Sequence, residues 1–254
     1  MIHYHGTPVG GHRREAARFL TGRHILIPWP RPEDLGCAFE VCASVCIDNG
    51  AYTAWKQEKP VPNWDKYQTW LLDLYRHPAF DFAFIPDVIG GSEEDNDALL
   101  GEWNQSVLGV PVYHMHESLE RAERLVHEWP IVAIGSSGQW PTPGAKKWKK
   151  RMSEIMGAMT DDQGRPHAKL HGLRMLNPEL FSRMPLSSAD STNAVRNSCS
   201  LSRFGTYTPA TSGQRSNVIA DRIEAYQSAP VWTGDSAWGW SEDVQFQLLE
   251  DEGV

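Results

Sequence analysis

Eight times along the 254 residues, a short run of β-branched or aromatic residues gives way to a longer stretch with helical spacing. That alternation is the mark of a parallel sheet, because parallel neighbours need a crossover long enough to hold a helix. The runs predict strands at 2–5, 24–29, 44–48, 80–86, 110–116, 131–135, 170–176 and 186–190. The periodicity between them predicts helices at 13–20, 64–75, 92–103, 118–129 and 146–159, a single turn at 177–181 and a last helix around 218–227. Ser92 and Ser118 stand where N-caps belong, and the acidic first turn after Ser92 suits the positive end of a helix dipole. Eight units in a chain close to the roughly 250 residues typical of the fold predict an α/β protein, a single (β/α)₈ TIM barrel. An open doubly wound sheet fits less well, since no G-x-G-x-x-G follows the first strand. The reading takes 1–254 as one domain. After residue 190 the pattern weakens to a Ser/Thr/Gly-rich loop (197–217), the last helix, and a segment (230–240) whose three tryptophans are expected to pack on the barrel.

With 41% apolar and 22% charged residues the chain reads as an ordinary globular protein. No apolar run approaches the ~18 residues needed to span a bilayer, and the first residues lack the pattern of a secretory leader, so a cytoplasmic location with reduced cysteines is expected. The four cysteines include no C-x-x-C pair. A net charge of −8 argues against a surface coated for non-specific nucleic-acid binding but leaves room for a local basic groove.

Active sites of such barrels lie at the C-terminal ends of the strands. Asp48 ends the third predicted strand, Asp87 follows the fourth, and Asp190 ends the eighth. His114 and His116 lie on the fifth, Gly135 and Ser136 end the sixth, and His171 and Arg174 are on the seventh. Three strand-end aspartates exceed what helix and turn capping alone would call for.

The segment Ile47-Asp48-Asn49-Gly50-Ala51-Tyr52 resembles the Asp-Ser-Gly-Gly-Phe segment of the tRNA-guanine transglycosylases, and Asp190 with Arg196 and Asn197 resembles that family's nucleophile segment. Asp87 and Ala133-Ile134-Gly135-Ser136 fall in the order of the family's base-recognition residues. The resemblance spans about 48–197 as short motifs in order. It departs from the family twice. Cys199 stands alone where tRNA-acting members carry a zinc-binding subdomain, and His114 and His116 stand where a glutamine is usual. Short and without that zinc site, the chain is similar to the compact DpdA-type enzymes of phages and bacteria.

The resemblance implies exchange of guanine in DNA for a 7-deazaguanine base such as preQ0, with no cofactor and through a covalent aspartyl-glycosyl intermediate; tRNA ranks behind DNA as substrate. It implies Asp190 as nucleophile and Asp48 as general acid/base, the carboxylate chemistry suited to an oxocarbenium-like transition state. Asp87 would read the guanine face and Tyr52 would stack on the base, with Asn49, Gly50, His114, His116, Gly135, Ser136 and His171 around it. A DNA partner, single-stranded or unwound so that the base can be extruded, needs cations. Lys146, Lys147, Lys149, Lys150 and Arg151 (interleaved with Trp148), together with Arg196 and Arg203, are the candidates. A phage-encoded chain would work in the bacterial host cytoplasm. A homodimer is left open, since tRNA-acting members commonly pair.

A second arrangement competes. His3 and His5 form an H-x-H on the first strand and, with His114 or His116 and Asp190, resemble the zinc ligands of metal-dependent amidohydrolase barrels.

Overall fold

The computed structural model describes residues 1–10 and 13–239. In chain order these form β1 (Ile2–Gly6), α1 (Arg13–Leu20), β2 (His24–Pro28), α2 (Leu35–Val41), β3 (Ser44–Asp48), α3 (Ala51–Lys56), α4 (Trp64–Leu72), β4 (Phe80–Phe84) and α5 (Glu93–Gly101). There follow β5 (Gly109–Val110), β6 (Val112–His114), α6 (Leu119–Glu128), β7 (Ile131–Gly135), α7 (Lys146–Met159), β8 (Lys169–Gly172), α8 (Pro178–Phe181), β9 (Ser188–Ser191), α9 (Asn193–Arg196) and α10 (Ser212–Glu224). All strand pairings are parallel, in the order β5-β4-β3-β2-β1-β9-β8-β7-β6. The two ends of that order are halves of one stretch. Val110 O accepts from Ile85 N on the β4 side, while Pro111 O accepts from Ala133 N on the β7 side. Proline has no N–H, so the ladder is interrupted at Pro111 and the expected strand 110–116 splits in two. Across that proline the sheet returns on itself as a TIM barrel.

The side-chain period of two sorts the strands into two apolar layers. Tyr4, Leu26, Cys46, Phe82, Phe84, Val110, Val112 and Ala133 fill the barrel interior. Their strand neighbours Ile25, Ile27, Val45, Ile47, Val132 and Ile134 face outward, into the core beneath the helices. The helices end where local chemistry directs. Ser92 and Asp95 form a reciprocal capping box ahead of α5, and Ser118 Oγ accepts from Arg121 N. A second capping box, Thr211 with Gln214, starts α10 at Ser212, ahead of the expected 218. Strand β8 stops at Gly172 because the chain turns at Arg174, which adopts a left-handed backbone (φ 59°). Trp232 and Trp238 are buried, and Trp238 meets Trp148 edge-on at 6.1 Å. Trp240 and the rest of the expected C-terminal segment lie outside the described residues.

One buried ionic group ties the strand that splits to its helices. The Glu117 carboxylate accepts from Arg121 Nη1 at 2.6 Å, His114 N at 2.8 Å and Asn96 Nδ2 at 3.0 Å. Both Glu117 and Arg121 are buried. Removing one partner of such a pair leaves the other charged and dry. Arg121→Met should therefore cost about 3–5 kcal/mol of stability in urea unfolding. A cost below about 1 kcal/mol would show that the two remaining donors suffice for Glu117.

Candidate active site

Interior parity carries straight into the site. Cys46 faces inward, so Asp48, two residues on, faces inward at the open end of β3. Ser188 donates or accepts at 2.8 Å with the interior His171 Nδ1, so Asp190, two residues on, also faces inward. Asp87 follows β4 and is buried. The three aspartates converge on one mouth, near enough for the charges of Asp190 and Asp87 to act on Asp48.

Each is held differently. Asp190 Oδ1 accepts from the backbone N–H of Arg174 at 2.9 Å and lies 3.3 Å from His171 Nε2. Asp87 Oδ1 accepts from Asn49 Nδ2 at 2.8 Å, and its Oδ2 lies 3.0 Å from His114 Nε2. Asn49 also donates to Ile85 O and accepts from Ala51 N, so one amide clamps β3, the end of β4 and the start of α3 together. Gly50 is required by its backbone: φ is +83°, and a Cβ there would drive into the Pro30 ring. Burial pushes the Asp48 carboxyl up to about 7, and the charges of Asp190 and then Asp87 push the same way. The Gly50 backbone N–H and the Arg174 cation work against that rise. Beneath them the Cys46 thiol is pushed well up, first by burial and then by Asp190, Asp81 and Asp48, which leaves it an inert core group.

Several expected residues take other roles. His171 is fully buried between Ser188, Asp190 and the rings of Phe82 and Phe84, so it supports Asp190 from below and does not meet a substrate. His116 is tethered on both ring nitrogens, to Ser137 Oγ at 2.8 Å and Gly91 O at 3.1 Å. Ser136 Oγ accepts from Trp148 Nε1, which turns that side chain toward α7. Gly135 remains at the wall, close to His114 and Leu173. Tyr52 is at the mouth, and its ring carries the Arg174 guanidinium at 3.4 Å. The sequence places Arg174 on the seventh strand without assigning it a role, and nothing local in it marks the contact with Tyr52.

The basic run divides. Trp148 is fully buried and is a core residue, a correction to its reading as an interleaved binding aromatic. Arg151 donates to Met115 O at 2.9 Å and Glu117 O at 2.5 Å and pairs with Glu154, so it braces the β6 end and is not available to a phosphate. Lys149 lies over the Trp238 ring. Lys146 and Lys147 are exposed at the first turn of α7, and Lys150 is also exposed. Arg196 and Arg203 are exposed in the stretch after β9.

The amidohydrolase arrangement is overturned by the same parity. Tyr4 points into the barrel, so His3 and His5 point out of it. His5 Nε2 meets Glu224 Oε1 of α10 at 2.8 Å, and His3 packs on Phe181 and bonds Tyr226 O. Burial works against the Glu224 charge, but His5 and Arg23 outweigh it and hold that carboxyl down at about 2. The sheet thus separates both histidines from Asp190. Among the described residues no cluster of three His, Cys, Asp or Glu side chains is placed to hold a metal.

No family model and no curated protein matches the chain. Among solved structures, a crystal structure of a Coccidioides immitis protein named as a fructose-1,6-biphosphate aldolase is similar over 88% of this chain and 89% of that one, with a TM-score of 0.50 and 14% identity. That likeness is one of barrel fold.

The raised Asp48 pKa has a stability consequence. From about pH 4 to about 7 the unfolded carboxyl has released its proton while the folded one retains it, so stability falls across that window. The Tm difference between Asp48→Asn and the native protein should widen from pH 4 to 7 in favour of the variant and then level off. A difference flat with pH would show that Asp48 titrates as an ordinary carboxylate.

Proposed function

We propose that the barrel is a base-exchange glycosyltransferase of the tRNA-guanine transglycosylase type, exchanging guanine in DNA for a 7-deazaguanine base. The observation that carries the reading is the convergence of three strand-end aspartates in unequal states. Asp190 has its Oδ1 engaged and a second oxygen to offer to a reacting carbon, and Asp48 is poised near neutrality. Base exchange needs that inequality, one carboxylate ionised to attack and one carboxyl protonated to donate.

In the first half-reaction the Asp190 carboxylate forms a bond to the sugar C1′ as the bond from C1′ to the guanine nitrogen breaks. The electron pair leaves with guanine, and Asp48 supplies the proton that neutralises it. In the second, the Asp48 carboxylate takes a proton from the incoming base. That base's nitrogen attacks C1′, and Asp190 departs as carboxylate. Desolvation and the neighbouring charges raise Asp48 into the range where it can run both directions at neutral pH. Asp87 keeps one lone pair on each oxygen beyond its contacts to Asn49 and His114, enough to accept from the N1–H and exocyclic amine of a guanine-like base. The polynucleotide would meet Lys146, Lys147, Arg196 and Arg203 outside the mouth.

Incubation with a labelled 7-deazaguanine base and either DNA or tRNA should place label in the DNA, and Asp190→Asn should abolish incorporation with the fold intact. Label in neither polymer ends the proposal, and label in tRNA alone moves the substrate. The pH dependence of kcat/KM should show a transition near 7 that is lost in Asp48→Asn.

A further inference from the structure

Arg174 touches both halves of the site. Its backbone N–H donates to Asp190 Oδ1 at 2.9 Å, and its guanidinium carbon sits 3.4 Å from the centre of the Tyr52 ring. The backbone reaches Asp190 only because φ is +59°. That region penalises residues with a Cβ, and glycine is the usual occupant. Glycine would supply the same N–H without strain, so an arginine there is accounted for by its side chain and not by the turn. The side chain is exposed, and among the described residues no hydrogen bond or salt bridge holds its guanidinium. It rests on Tyr52 by face-to-face contact, so it can lift away at little cost.

A guanidinium plane and a phenol ring are both surfaces on which nucleobases stack. We infer that Arg174 and Tyr52 are the two jaws of a stacking clamp, between which a purine-type base slides flat above Asp48, Asp87 and Asp190. The inference rests on the base-exchange reading and adds to it the residue that grips the base from the second side. In the structure the two jaws lie against each other. On binding, the guanidinium moves out by one ring thickness and covers the heterocycle, keeping its positive charge near Asp48.

The backbone and side-chain roles of Arg174 separate by substitution. Arg174→Gly keeps the left-handed turn and the N–H to Asp190 while removing the upper jaw. Arg174→Lys keeps the charge and removes the plane. Equilibrium dialysis of each purified protein against radiolabelled guanine should show affinity about tenfold or more weaker in both variants than in the native chain, the scale of one lost base-stacking contact. The Tm of Arg174→Gly should be equal to or above the native value, which certifies its fold. Native-like or tighter guanine binding by Arg174→Gly overturns the clamp while leaving base exchange standing. Recovery of binding in Arg174→Lys also overturns it, by showing that charge and not stacking is felt. Failure of the native protein itself to bind guanine overturns the base-exchange reading and the clamp with it.

Discussion

The inside–outside alternation of the strands is the constraint on which the site depends. A residue's parity decides whether it meets the mouth or the helices, and a shift of one would exchange the two sets. Tyr4, Cys46 and Ala133 fix the interior parity of β1, β3 and β7. With that fixed, Asp48 and Asp190 face each other across the interior, and His3 and His5 are committed to the helical shell. There His5 hydrogen-bonds Glu224 on α10, which joins the first strand to the last long helix. What looks in sequence like a metal motif is a packing device between layers.

Three carboxylates drawn to one partly desolvated mouth repel each other, and the fold answers with neutral donors and the Arg174 cation. Asn49 and the Arg174 N–H each give a hydrogen bond to an aspartate without neutralising it. The Coulombic conflict therefore remains and is concentrated on Asp48, whose proton becomes exchangeable near neutral pH. A cation paired to each carboxylate would instead pull Asp48 down and leave it without a proton at neutral pH. The left-handed backbone of Gly50 and the strained one of Arg174 belong to the same arrangement, because each positive φ aims a backbone N–H toward a carboxylate.

Much of this was legible in the residues, and the misses have physical causes. The strands 44–48 and 131–135 and the helices 13–20 and 146–159 coincide with β3, β7, α1 and α7, since each has an unmixed period. The split at Pro111 could have been read from the proline itself. Helix α2 escaped because its Gly and Cys residues blur the apolar stripe and Asp34 makes no side-chain cap. Helix α3 escaped because it is short and begins at a left-handed glycine. The burial of Trp148 was readable: with Met152, Ile155, Met156 and Met159 it forms a stripe at helical spacing. The parity of β1 was not, since a short strand of histidines and tyrosine does not announce which face is wet. The Arg174–Tyr52 contact joins two distant segments through a backbone conformation that propensity does not foresee.

Helix α7 begins against the usual electrostatic preference. Its Ala145 cap offers no side-chain acceptor, and Lys146 and Lys147 occupy the first turn, where the helix dipole is already positive. Helices of a TIM barrel start on the face where the strands end, so these two lysines lie at the rim of the mouth. The chain as a whole carries −8. For the polyanionic substrate proposed above, the net charge would repel while these lysines attract, over a distance of about 8 Å at physiological salt. Such a field acts before contact. Under the base-exchange proposal it would turn an approaching nucleic-acid strand toward the side where the aspartates are open, so that the outline of charge, and not the site itself, would choose the orientation of the encounter.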